Sequence, residues 1–175
     1  MLPGAVGLDT SFVVHTLIES QSLHAPCSAF LERLVVEEVR LVVSELRDVE
    51  LAEAVFRIAL TERWGRAWRR HRTDGRARRR AQRILADVQS RYELFLGAAS
   101  ETPIPLARVT RSAATLMTDH GIASYDAVHA ATAVAAGAEA IVTTDIGFGL
   151  LPTSLLAIYT DRSRLTACRA MRPTR

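Results

Sequence analysis

Short apolar runs and amphipathic segments succeed each other along the chain. The mostly apolar runs Ala5–Leu8 and 39–43 predict two buried strands. Over residues 47–60 apolar side chains recur every three or four positions, and this spacing predicts an amphipathic helix. Apolar and β-branched residues at 140–144 and 155–159 predict two further strands.

Capping residues and glycines mark the ends of other predicted helices. Thr10 and Ser11 can cap a helix after the first strand, and Gly121 and Gly137 are natural helix stops. Residues 62–96 are predicted to form a pair of helices that is broken at Gly75, and residues 102–109 a loop that enters a short strand. Two further helices are predicted at 112–120 and at 127–136, and Ser124 is the predicted N-cap of the second.

This order of elements predicts one α/β domain. Strands and helices alternate, which favours a central parallel sheet with helices on both faces, a three-layer α/β/α fold. We expect the domain to span residues 1–160, with a basic helical insertion at 57–96 and a loose, arginine-rich tail at 161–175. In such sheets ligands bind beyond the carboxyl ends of the strands.

Charge is distributed unevenly along the chain. All 22 basic residues are arginine, and eleven of them lie within residues 57–83 beside only Glu62 and Asp74. The remainder of the chain is net acidic, so a basic arm on an acidic body suggests a polyanionic partner and a separate cation site. The arginines that we expect to contact such a polyanion are Arg69, Arg70, Arg78, Arg79 and Arg80. A face that is merely solvated remains an alternative.

Composition argues against membrane and secreted classes. The uncharged stretch 146–160 is short and broken by Pro152, and the first basic residue, Arg33, comes too late for a secretory signal. Cys27 and Cys168 lie far apart and match no metal-ligand spacing. We therefore expect a cytoplasmic protein with reduced thiols.

Four acidic residues occupy positions that should converge. Asp9 and Asp145 end predicted strands, Asp126 opens a predicted helix, and Glu50 lies in the first turns of the helix after the second strand. Four carboxylates in one crevice repel each other unless cations neutralise them. Hard divalent ions with oxygen ligands, Mg²⁺ or Mn²⁺, suit this set, and a metal so held can activate water against a phosphodiester.

Each of these residues also has a structural reading. Asp126 can act only as a first-turn acid, and Asp145 only as a turn residue. The neighbouring residues that could orient the acids or bind a metal-bound water are Thr10, Ser11, Thr144 and His129. The hydroxyls could equally be caps, and we expect His129 to be packed or to support a ligand rather than to bind metal itself.

Three segments resemble the PIN-domain family of nucleases. They are Gly7-Leu8-Asp9-Thr10-Ser11-Phe12, Ser124-Tyr125-Asp126-Ala127-Val128-His129-Ala130-Ala131-Thr132-Ala133, and Ile141-Val142-Thr143-Thr144-Asp145 followed by Phe148. The resemblance implies a PIN-like fold and an endoribonuclease that uses Asp9, Glu50, Asp126 and Asp145, with Asp9, Asp126 and Asp145 as metal ligands. Within the family the chain looks most like a VapC-type toxin. The resemblance therefore also implies a cognate antitoxin and a homodimer.

Two positions depart from this pattern or leave it open. The family's glutamate lies a few residues past a strand-ending Ser or Thr; Ser44 fits that anchor and favours Glu50, although Glu53 is one turn away. Gly147 stands where many relatives carry a charged residue, so a further acid ligand is missing there. The arginine-rich segment is also longer than a minimal toxin needs, and it could dock RNA or an acidic antitoxin segment.

Other classes of α/β protein fit the sequence less well. A response-regulator receiver needs a lysine, which this chain lacks, and a haloacid-type phosphatase needs a second aspartate where Ser11 stands. The serious alternative is a PIN-like RNA- or protein-binding module with little catalysis. The retained acids argue against that alternative.

Overall fold

The computed structural model describes residues 1–98 and 101–171. The described strands are β1 (Ala5–Leu8), β2 (Arg40–Ser44), β3 (Glu101–Ile104), β4 (Ala140–Val142) and β5 (Ala157–Tyr159). The described α-helices are α1 (Thr10–Leu17), α2 (His24–Val36), α3 (Arg47–Trp64), α4 (Gly75–Ala98), α5 (Leu106–His120), α6 (Ser124–Ala135) and α7 (Arg162–Ala170). Two 3₁₀ helices, Gly65–His71 and Ile146–Leu150, complete the described elements.

The five strands form one parallel sheet in the order β3-β2-β1-β4-β5. β1 lies at the centre, where Val6 is in register with Leu41 of β2 and Gly7 with Ile141 of β4. All carboxyl ends therefore meet at one edge of the sheet. The prediction of a central parallel sheet is confirmed.

Strand alternation sorts the apolar side chains into two cores. On one face Val6, Leu41 and Val142 pack with residues of α1 to α4, whereas on the other Val42 and Ile141 pack with α5 and α6. Neighbouring strand residues such as Leu41 and Val42 contribute to different cores, because successive side chains point to opposite sides of the sheet. The predicted three-layer α/β/α architecture is thus confirmed.

Two glycines allow helices to approach closely. A Cβ on Gly7 of β1 would lie 2.7 Å from the Cβ of Ala133, so α6 packs directly against the central strand. A Cβ on Gly149 would lie 2.2 Å from the carbonyl oxygen of Cys168, which places α7 against the 3₁₀ helix after β4. Both contacts position elements that flank the carboxyl edge of the sheet.

The arginine-rich insertion is a helical hairpin, as predicted. α3 and α4 are joined by the 3₁₀ helix, and α4 begins at Gly75, the predicted break. Bidentate hydrogen bonds from Arg72 to Glu53, at 2.6 and 2.8 Å, tie the connection to α3, and an ion pair from Arg80 to Glu62, at 2.6 Å, links α4 to α3. The tip remains at least partly exposed throughout.

Three expectations from the sequence are wrong in detail. Residues 24–36 form α2, for which the sequence pattern gave no element. Residues 102–109 are not a loop entering a strand; β3 comes first and α5 begins at Leu106. Within the tail that was expected to be loose, Arg162–Ala170 form α7, which Asp161 caps and in which Cys168 is buried. In the described residues no helix is long and apolar enough to cross a membrane.

Candidate active site

The carboxyl edge of the sheet brings together acids from four different elements. Asp9 follows β1 and caps α1, and Asp145 follows β4 and caps the next 3₁₀ helix. Glu50 lies in the first turn of α3 and Asp126 in the first turn of α6. Electrostatic coupling joins Asp126 to Asp145, Asp9 and Glu50, so the four carboxylates share one site.

Asp9 is buried and held by hydroxyl groups. Its Oδ2 accepts hydrogen bonds from the hydroxyl of Ser11, from the Ser11 amide at 3.3 Å and from Thr143 Oγ1 at 2.7 Å. Burial raises the pKa of Asp9, although nearby His129 and these hydrogen bonds act in the opposite direction. The hydroxyls therefore fix the carboxylate in one orientation and partly offset its loss of water.

Glu50 is held by the side chains of Thr10 and His129. Its Oε2 accepts a hydrogen bond from Thr10 Oγ1 at 2.6 Å and lies 2.5 Å from His129 Nε2. Burial opposes ionisation of Glu50, but the hydrogen bonds from His129 and Thr10 lower its pKa overall. Glu53 instead points away and pairs with Arg72 on the surface. Of the two glutamates, only Glu50 lies beside the aspartates.

His129 is the basic side chain within this acidic cluster. It is buried, and its Nε2 lies 3.9 Å from Asp9 Oδ1 as well as against Glu50. Burial alone would lower the pKa of His129, but the hydrogen bond to Glu50 and the charges of Asp9, Glu50 and Asp126 raise it. A protonated imidazole here neutralises part of the carboxylate charge.

The carboxylate of Asp126 is repelled by the neighbouring carboxylates of the cluster. Burial first, and then the neighbouring charges of Asp145 and Asp9, raise the pKa of Asp126 to about 7. A Cβ on Gly147 would lie 3.1 Å from Asp126 Oδ2 and 3.2 Å from Asp145 Oδ1, so Gly147 stands directly beside both carboxylates. Its amide donates to Asp145 Oδ1 at 2.7 Å. A side chain at position 147 would crowd the two acids.

Thr143 belongs to this site, although the sequence singled out Thr144. Thr143 Oγ1 donates to Asp9 and accepts from the Asp145 amide at 2.8 Å, so one hydroxyl connects two acids. Thr144 contributes its backbone amide, which donates to Ser11 Oγ at 3.0 Å. The available signal was spacing, because a threonine two residues before an acid can bond that residue's amide. Two adjacent threonines made the choice ambiguous.

The donor set suits a hard divalent cation. Carboxylate and hydroxyl oxygens line the site, which matches the preference of Mg²⁺ and Mn²⁺. Burial, and then the charges of Asp145 and Asp9, raise the pKa of Asp126, so added positive charge there would favour its ionised form. Within residues 1–98 and 101–171, however, no three His, Cys, Asp or Glu side chains are already grouped to hold a metal ion. Binding would require the carboxylates to draw together.

The arginines singled out in the sequence lie on the hairpin rather than at the acids. Arg69 and Arg70 belong to the 3₁₀ helix at its tip, and Arg78 and Arg79 to the first turns of α4; all are exposed. Arg80 is also exposed but is paired with Glu62. Fourteen residues of α3 separate Glu50 from the tip at Trp64. At 1.5 Å per residue this is about 20 Å, so the tip and the acids are distinct regions.

Comparison with known proteins agrees with the fold and with the motifs. The crystal structure of FitAcB from Neisseria gonorrhoeae aligns with a TM-score of 0.53 and 22% identity, over 89% of this chain and 96% of that chain. This likeness concerns the fold alone. No curated protein matches the chain. The model of the PIN domain family matches residues 6–152. The resemblance seen in the sequence is therefore confirmed, and the chain belongs to the PIN domain family, a nuclease fold.

Proposed function

We propose that this protein is a metal-dependent endoribonuclease that hydrolyses RNA phosphodiester bonds, and that it is the toxin of a type II toxin–antitoxin pair. The observation that carries the proposal is the convergence of four carboxylates at one edge of the sheet, where burial and the charges of Asp145 and Asp9 raise the pKa of Asp126 to about 7. Such a cluster is stabilised by added positive charge. A divalent cation supplies that charge in phosphodiester hydrolysis.

Asp9, Asp126 and Asp145 would hold the cation, either Mg²⁺ or Mn²⁺. When bound, it would activate water and stabilise the charge that develops on the phosphodiester. The protein orients its acids around that position: Thr143 and Ser11 fix Asp9, and the Gly147 amide fixes Asp145. Thr10 and His129 keep Glu50 ionised and directed into the site.

The substrate and partners follow from the charge distribution and from the motif resemblance. The exposed arginines on the hairpin suit a polyanion, and we assign them to the phosphates of single-stranded RNA. The VapC-like motifs favour an antitoxin partner, a homodimer and a cytoplasmic location. An acidic antitoxin segment is the other candidate ligand of the arginine-rich surface. In that case the antitoxin would bind the hairpin, and the assignment of the RNA cleavage site to the acids would not change.

The alternative is a PIN-like binding module with little catalysis. The observation that favours it is the lack of a preassembled metal-ligand group among the described residues. The two functions differ in their response to metal. Only the nuclease should gain thermal stability with Mg²⁺ or Mn²⁺ and lose that gain on Asp9→Asn.

The decisive experiment is cleavage of a mixed-sequence RNA with Mg²⁺ or Mn²⁺ and with chelator. Wild type should cleave only with metal, and Asn at Asp9, Asp126 or Asp145 should nearly abolish cleavage while the fold persists. Asp119→Asn, an exposed acid on α5, is the matched control and should cleave normally. Full cleavage by Asp126→Asn with Mg²⁺ would disprove the assignment.

A further inference from the structure

A cavity of about 240 Å³ opens beside the acidic site, past the carboxyl ends of β4 and β5. Thr143 lines it, and Thr143 Oγ1 also donates to Asp9 Oδ2 at 2.7 Å. One threonine thus forms part of both the cavity wall and the support of the acid. The cavity and the acidic site therefore share a wall at Thr143.

The cavity has an aromatic wall. Phe30 and Tyr159 lie nearly parallel, with ring centroids 5.9 Å apart and an interplanar angle of 18°. Phe12 meets Phe30 edge-on at 6.3 Å and 82°. All three side chains line the cavity. Phe12 is buried, whereas Phe30 and Tyr159 are partly exposed, so these two rings offer an apolar surface on which a planar ring can pack.

Threonines and two charged residues form the polar part of the lining. Thr144 and Thr160 line the cavity beside Thr143, as do Asp161 and Arg162. In the described part of the chain, the buried Oγ1 of Thr160 has no hydrogen-bond partner. A buried hydroxyl without a partner costs free energy, so a ligand that reaches it when the Thr160 side chain turns towards the cavity would gain a hydrogen bond.

We propose that this cavity receives one nucleobase of the RNA strand bound at the acids, packed on Phe30 and Tyr159 and hydrogen-bonded by Thr160. Single-stranded RNA is commonly read in this way, by aromatic stacking and by hydrogen bonds to base edges. The inference rests on the proposed ribonuclease function and adds a position at which sequence is selected. The cavity, rather than the distant arginine-rich tip, then determines which nucleotide lies beside the cleaved bond.

Nucleoside binding to the metal-free, full-length protein tests this directly. Adenosine, guanosine, cytidine and uridine carry no phosphate, so they avoid the arginines and do not require catalysis. Titration of each should shift the backbone amide resonances of Cys27, Phe30 and Thr160 in nitrogen–proton correlation spectra. The four bases should bind with unequal affinity.

Two substitutions alter the cavity and one serves as a control. Phe30→Leu removes an aromatic platform and should weaken the preferred nucleoside by at least about fivefold. Thr160→Val keeps the shape but removes the hydroxyl, and should reduce discrimination among the bases even if Phe30→Leu fails to fold. Thr132→Val on α6 removes another buried hydroxyl that lacks a partner among the described residues, and should change nothing.

The outcomes separate this inference from the proposed function. If no nucleoside shifts these amides, or if shifts persist unchanged in Thr160→Val and Phe30→Leu, the inference is overturned. If benzene shifts these amides and no nucleoside does, the cavity is assigned to an apolar side chain of a protein partner, and the inference is also overturned. If the protein binds nucleosides but never cleaves RNA, the proposed nuclease function is contradicted. If it cleaves RNA but binds no nucleoside, only the proposed role of the cavity is contradicted.

Discussion

At the scale of single residues, Asp126 links the site to the stability of the whole domain. Its pKa is raised from 3.8 to about 7 in the folded protein, so between these values the folded state binds more protons than the unfolded state. The free energy of unfolding of the metal-free protein should therefore fall as pH rises from 5 to 8. Denaturant unfolding in the presence of chelator measures this directly.

Asp126→Asn should reduce that fall and stabilise the metal-free protein at pH 8, because it removes a carboxylate that ionises under repulsion. Asp9 and His129, whose pKa values are also raised, should keep part of the pH dependence. Asp119→Asn should leave the profile unchanged. A profile in Asp126→Asn that matches wild type would contradict the role of Asp126 in the acidic cluster.

Glu50 and Glu53 offer a matched pair one helical turn apart. Glu50→Gln removes a charge held by Thr10 and His129 inside the site, and we expect RNA cleavage to fall by about 100-fold or more. Glu53→Gln breaks only an exposed pair with Arg72, which should contribute little. Initial RNA-cleavage rates of the two variants show which glutamate functions in the site. The reverse ranking would place the functional glutamate one turn further along α3.

At the scale of secondary-structure elements, the arginine-rich hairpin predicts a salt effect. If Arg69, Arg70 and Arg78 contact phosphates, replacing all three by Gln should weaken RNA binding and flatten the slope of log affinity against log salt. Each lost contact on a single strand accounts for up to about 0.7 of that slope. Cleavage of already bound RNA should change little, because the tip lies far from the acids.

The control for this variant is a second triple substitution to Gln, at Arg108, Arg111 and Arg169. These arginines lie on α5 and α7 rather than on the hairpin. They should leave the slope as it is. An unchanged slope in the hairpin variant would exclude the hairpin as an RNA contact and favour an acidic protein partner or a solvated surface.

Local patterns predicted elements well where burial and capping agree. β1, the helix before Gly137 and the break at Gly75 were all visible in the sequence because apolar periodicity and glycine point to the same boundaries. β3 was obscured by Pro103, which a central strand excludes but an edge strand tolerates. Pro105 likewise marks the start of α5 rather than the end of a loop.

The missed contacts in the site depend on tertiary structure. The acids were found because each ends a strand or opens a helix, a local property. The pairing of His129 with Glu50 joins residues 79 positions apart, and no local pattern reports such a distance. α7 was missed because its arginines resemble a solvated tail, whereas its docking depends on the close approach of Cys168 to Gly149.

At the scale of the whole molecule, Gly7 sets the distance between the central strand and α6, which carry Asp9 and Asp126. Gly7→Ala would place a Cβ 2.7 Å from that of Ala133 and force the helix away. We expect a loss of about 1–3 kcal/mol in unfolding free energy, typical of overpacking. Chemical denaturation of the variant and of wild type measures this loss. Gly4→Ala, whose new Cβ would meet Glu139 at an ordinary 3.5 Å, should be far milder.

The pairing of β1 with β4 has a consequence for synthesis on the ribosome. β1 finds one of its two neighbours only when residues 140–142 exist, and Asp145 follows them. Since chains emerge from the ribosome amino terminus first, a nascent chain carries Asp9 before it has Asp145. The acidic cluster is therefore completed only after β4 has been made, and a chain that terminates before β4 lacks this aspartate.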